Sequence, residues 1–146
     1  MSHFLFVAGA LRERDSRESA ELQLTHHVWG LRSQLIRDNL SRYLTEQSHG
    51  LVYVLKAGIS AQFTIESPVL PFQSLDPFVR DEFHAEARYG FVRIAVERRW
   101  ASSPAASLAL LQAALAVDEA ELVRRLNLGM HRLTDEQYRT IIEGLG

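Results

Sequence analysis

The chain has 146 residues, 47% of them hydrophobic and 23% charged, with sixteen basic residues against eighteen acidic ones. That length suits one domain with a core of its own, and the composition excludes a disordered chain. The lack of cysteine excludes disulfides and thiolate-based zinc sites or nucleophiles, and the net charge of −2 argues against strong non-specific binding to nucleic acid.

His3 to Gly9 (HFLFVAG) is a short apolar run ended by glycine, as expected of a strand buried on both faces. No basic residue precedes it, so it does not read as a signal peptide. No apolar stretch approaches the ~20 residues needed to span a bilayer, and a cytoplasmic location is expected. Asp15 and Glu18 have capping-box spacing and open a predicted helix from about Ser16 to His26, with Ala20, Leu22 and Leu24 apolar. Gly30 breaks the chain. A second helix is predicted from about Ser33 to Glu46, with Leu35, Ile36, Leu40, Tyr43 and Leu44 at helical spacing among Arg32, Arg37, Asp38 and Arg42.

Leu51 to Ala57 (LVYVLKA) reaches a turn at Gly58, and Ala61 to Glu66 (AQFTIE) alternates with period two. The pair predicts a hairpin. Pro68 and Pro71 bracket an extended segment containing Val69 and Leu70, followed by Phe72. Asp76-Pro77 has the pattern of an N-cap with proline at the first helical position, predicting a short helix from Pro77 to about Ala87. Tyr89 to Glu97 (YGFVRIAVE) is the last strong strand. Three helices follow: Ser107 to Ala116, Asp118 to Leu126 and Thr134 to Leu145. No repeat or long linker divides the chain, so residues 1–146 read as one domain. Strands clustered between groups of helices indicate an α+β fold, with helices packed outside a small curved sheet or open barrel.

For catalysis the sequence offers little. No two histidines have zincin spacing, and there is no nucleophile elbow, P-loop or dinucleotide loop. A helix would set Asp81 and His84 on one face, which is the one acid–base pair in reach, although a solvated charged face explains it better. The stretch Val28-Trp29-Gly30-Leu31-Arg32-Ser33 is richer. The indole is a flat stacking face, Gly30 permits close approach, and Arg32 and Ser33 supply donors at the start of the second helix, where backbone amides favour an anion. Base–aromatic stacking is worth ~1–3 kcal/mol per base. The residues alone favour a Trp29 that plugs the core between helices and sheet, the more common use of an aromatic beside glycine.

In order and spacing, Phe4-Leu5-Phe6-Val7, Val28-Trp29-Gly30, Leu51-Val52-Tyr53-Val54, Phe63-Thr64-Ile65-Glu66-Ser67-Pro68 and Tyr89-Gly90-Phe91-Val92-Arg93-Ile94 follow one known pattern. So do Leu122-Val123-Arg124-Arg125-Leu126 and the helix from Thr134. The whole chain resembles the PUA-like group that includes the EVE and YTH domains. The resemblance implies a curved sheet or open barrel whose mouth holds an extruded, often methylated, base between aromatic walls. It places Trp29 in one wall, with Gly30, Arg32 and Ser33 beside it. Phe72 stands where a second aromatic follows the strand ending at Ser67, and a phenylalanine there gives a weaker wall than tryptophan. Ala8 to Leu11 lack the polar residues that many relatives place near the base. Extrusion would be offset by stacking and base-edge hydrogen bonds, with Arg32, Arg37 and Arg42 neutralising phosphates. Fifteen of the sixteen basic residues are arginine, the better residue for such bidentate contacts.

The expected partner is therefore nucleic acid, DNA or RNA, with no membrane, no metal and no organic cofactor, and the expected role is non-catalytic. Two other readings compete with it. One is a protein-interaction module using Leu108, Leu110, Leu111 and Leu115 as a partner surface, and the other is a small-molecule enzyme built around His84.

Overall fold

The computed structural model describes residues 2–10, 14–31, 34–43, 47–83, 90–101 and 103–146. Among these residues six strands and six helices follow in the order β1 (His3–Ala8), α1 (Ser16–Thr25), β2 (Val28–Leu31), α2 (Gln34–Tyr43), β3 (Ser48–Val54), β4 (Gly58–Ile65), α3 (Pro77–Glu82), β5 (Gly90–Arg99), α4 (Pro104–Leu115), α5 (Glu119–Leu126), β6 (Met130–Leu133) and α6 (Asp135–Leu145). A 3₁₀ turn covers Phe72–Ser74. The strands form one curled half-barrel sheet in the order β2-β5-β4-β3-β1-β6, mixed in sense because β1 runs parallel to β3. The α+β expectation holds.

Local chemistry accounts for most boundaries. Asp15 and Thr134 each form a complete capping box, with Glu18 and Gln137 respectively, which satisfies two of the amide donors a helix start leaves unpaired. Asp118 caps α5 through the Glu121 amide at 2.8 Å, but without the reciprocal bond. Pro104 stands in the first turn of α4 behind the cap Ser103, so that helix starts earlier than the predicted Ser107. The β3–β4 hairpin forms as expected. Its turn needs a left-handed backbone at Lys56 (φ 68°) and Gly58 (φ 108°).

Two strands depart from expectation. Val28–Leu31 is not a helix-to-helix junction but an edge strand, paired with β5 from Val28↔Arg93 to Leu31↔Gly90. Met130–Leu133 pairs antiparallel with β1 from Phe6↔Met130 to His3↔Leu133. Both span four residues, too few for a period to show, and both exist as strands because a distant partner offers hydrogen bonds.

Strand alternation divides the core. Phe4, Phe6, Val52, Phe63, Val92 and Trp29 face α1 and α2, meeting Ala20, Leu24 and Leu40. Leu5, Val7, Leu51, Tyr53 and Ile59 face the other way, onto Leu111, Leu122, Leu126 and Ile141 of the C-terminal helices. A third, smaller cluster of Val28, Phe72, Leu75, Phe83 and Phe91 covers the β2–β5 end.

Candidate nucleic-acid interface

Trp29 lies on β2, opposite Val92 of β5. Because side chains alternate along a strand, Trp29 points into the first cluster while its neighbour Val28 points into the third. The indole is 4% exposed. It is flanked by Phe6, with ring centres 6.1 Å apart and planes at 54°, and by Phe63, at 5.8 Å and 38°. These tilted contacts between rings suit the aromatic quadrupole. The open stacking face expected of a junction residue is thus turned inward, because the junction is a strand.

A narrow cleft remains beside the ring. Phe6, Val7, Gln23, Trp29, Gly30, Leu31 and Gly129 line it, and its volume is about 20 Å³, room for about one water. Gln23 is buried on α1, and its Oε1 accepts the Gly30 N–H at 2.8 Å. Its Nε2 donates to the Ser19 carbonyl at 3.3 Å, which fixes the amide. Gln23 thereby supplies the acceptor that an edge strand lacks on its outer side. Across the cleft, the Val7 N–H donates to the Gly129 carbonyl at 2.9 Å, and Gly129 holds a left-handed backbone with φ 88°.

Of the residues expected at the site, Trp29 and Gly30 come together here. Arg37 lies near the same end of β2, on α2. It pairs with Asp38 at 3.6 Å, and its Cδ lies 3.3 Å from where a Cβ on Gly90, the partner of Leu31, would stand. Arg42 is exposed in the last turn of α2. Arg32 and Ser33 lie outside the described residues, as does His84. Phe72 does not face Trp29. It packs edge-on against Phe83, with ring centres 6.4 Å apart and planes at 89°, in the cluster on the other side of β2 and β5. The expected pairing of Trp29 with Phe72 therefore fails for the same reason as the open indole: strand parity puts them on opposite faces.

Gln23, Phe6 and Gly129 were missed. Gln23 left a signal, a polar residue on the Ala20–Leu24 face of a helix where an apolar one belongs. Gly129 left none beyond being a glycine near a helix end. Among the described residues no group of three His, Asp or Glu is placed to hold a metal, and no helix is long and apolar enough to cross a membrane.

No family model matches the sequence, and no curated protein matches it. Solved structures do. The Mmi1 YTH domain in complex with RNA superposes with a TM-score of 0.67 at 11% identity, covering 99% of this chain and 77% of that one. The YTH domain of Zygosaccharomyces rouxii MRB1, in complex with N6-methyladenosine RNA, gives 0.67 at 10% identity over 97% and 84%. Human THYN1, in complex with DNA containing 5-methylcytosine, gives 0.64 at 19% identity over 98% and 96%. Almost the whole chain is matched each time, helices on both faces included, and the chain has a YTH/EVE-type, PUA-like fold.

Proposed function

We propose that this domain is a non-catalytic reader of nucleic acid that takes a single extruded, methylated base beside Trp29. The observation that carries this reading is the fold. Two of the structures that match nearly the whole of this chain hold methylated nucleic acid, one RNA and one DNA. The arrangement at Trp29 supports it further, with a flat indole, a glycine and a fixed amide in one cleft. At about 20 Å³ the cleft is closed to a base, so admission requires the indole to swing outward from Phe6 and Phe63. Arg37 and Arg42 on α2, with Arg32, serve flanking phosphates. The leucines considered as a protein-binding surface are engaged elsewhere: Leu111 is fully buried, and Leu108, Leu110 and Leu115 pack against the second cluster.

The test is a titration of short single-stranded and duplex oligonucleotides, each with and without N6-methyladenine or 5-methylcytosine. Preferred binding of one methylated form is expected. Replacing Trp29 by leucine should weaken that binding by roughly 5- to 150-fold, the equivalent of one lost base–indole stack, with circular dichroism showing the fold intact. Equal affinity for all oligonucleotides would sink the reading of a modified base, and unchanged affinity in Trp29→Leu would remove Trp29 from the pocket.

A further inference from the structure

A second and much larger concavity, about 510 Å³, opens between α1, the β3–β4 turn and the segment joining β5 to α4. It shares no lining residue with the Trp29 cleft. Its floor is apolar, made by Val54, Ala57 and Ile59, and its rim carries Arg17, Glu21 and Arg99. The Arg99 guanidinium is paired with the Glu21 carboxylate, both side chains being about half exposed.

The wall between floor and rim is incomplete in its hydrogen bonding. The Ser60 hydroxyl and the Trp100 indole Nε1 are both buried without a partner among the described residues. The two residues are neighbours, since the Trp100 backbone N–H donates to the Ser60 carbonyl at 2.9 Å. Arg98 lies over the Trp100 ring at 4.8 Å. An indole N–H can only donate, and buried donors in folded proteins are almost always matched. What this wall lacks is an acceptor. The volume and the apolar floor with few convergent polar groups are those of a small-molecule pocket. The N-terminus of α4, at Ser103, adds a partial positive charge at the rim.

We infer that this cavity binds a small amphipathic anion: a compact apolar body on Val54, Ala57 and Ile59, bearing one carboxylate or phosphate. The head group takes Arg17 and Arg99, and its oxygen meets the Ser60 hydroxyl and Trp100 Nε1 once the wall that buries them opens. Glu21 is the internal competitor, whose carboxylate holds Arg99 until the ligand replaces it. A nucleic-acid backbone would leave the apolar floor unused.

The sequence contains two tryptophans, Trp29 and Trp100, so each cavity has its own indole reporter in a ¹H–¹⁵N spectrum, assigned with Trp29→Leu. Benzoate, phenyl phosphate, neutral benzamide and a short oligonucleotide are titrated separately. The two acids should move the Trp100 indole resonance saturably and leave that of Trp29 in place, and benzamide should move neither. The tighter of the two acids identifies the head group. Arg99→Gln should weaken the acids by about tenfold, one charge-assisted hydrogen bond, while Glu21→Gln should tighten them. The inference is overturned if neither acid moves Trp100, if benzamide acts as the acids do, or if both variants behave as the parent. It is equally overturned if only the oligonucleotide moves Trp100. None of these outcomes depends on Trp29.

Discussion

A Cβ added at Gly50 would lie 2.5 Å from Phe63 Cε1 and 3.0 Å from Phe6 Cε2, two rings that also wall in Trp29. Both rings are fully buried and cannot withdraw. Gly50→Ala should therefore lower the stability measured by urea denaturation by about 1–3 kcal/mol, the range for overpacking. Gly144→Ala makes the contrast. Its Cβ would meet Leu110 Cδ1 at 2.4 Å, but Leu110 is only half-buried and that methyl is the tip of a flexible side chain. Alanine in α6 also gains about 0.8–1 kcal/mol of helix propensity over glycine, so a net change near zero is expected. At this scale the sequence told the identity of the unusual residue, Trp29, but not its orientation. The orientation depends on whether residues 28–31 are strand or turn, and that is decided at Gly90–Arg93, some sixty residues away.

Elements were legible in proportion to their length and caps. The helices with complete capping boxes, α1 and α6, lie within about a residue of their expected starts. The three long strands, β3, β4 and β5, were placed, with ends shifted by up to three residues. The two four-residue edge strands were not legible at all, and β2 carries the candidate site. One element contact makes a prediction about pH. His3 on β1 donates from Nε2 to Asp135 Oδ1, in the first turn of α6, at 3.0 Å, and its ring stacks on Tyr138 at 4.1 Å. Burial lowers the His3 pKa below its ordinary value, against the pull of Asp135, and the nearby His49 lowers it further. The neutral form is thus the one that folding favours. Its contribution is fully present above the unfolded pKa of about 6.5 and is lost as the pH falls through the lower folded value. Acidification from pH 7.5 to 5.5 should reduce the urea midpoint of the parent protein, and His3→Gln should show a smaller drop. An equal drop in both would mean that other groups carry the acid sensitivity.

For the molecule as a whole, the two signs of charge nearly cancel, with a net charge of −2. A protein so balanced gains no general attraction to polyanions, and the nucleic-acid binding proposed above would have to come from a local set of arginines. If Arg32, Arg37 and Arg42 each meet one phosphate, the logarithm of affinity should fall against the logarithm of salt with a slope near −2 for a single strand. A slope several times steeper would show that a much wider surface takes part. The fold class was legible at this scale because strands cluster between helices along the chain. The parallel pairing of β1 with β3 and the attachment of β6 were not, since neither pairing is local.

That last attachment has a consequence for the nascent chain. β1 leaves the ribosome before the other strands of its sheet, and one of its two flanks is completed only by residues 130–133. At ordinary translation speeds the interval is on the order of ten seconds. Throughout it, a largely apolar strand waits with an open hydrogen-bonding side, the condition under which chains join one another or are held by chaperones.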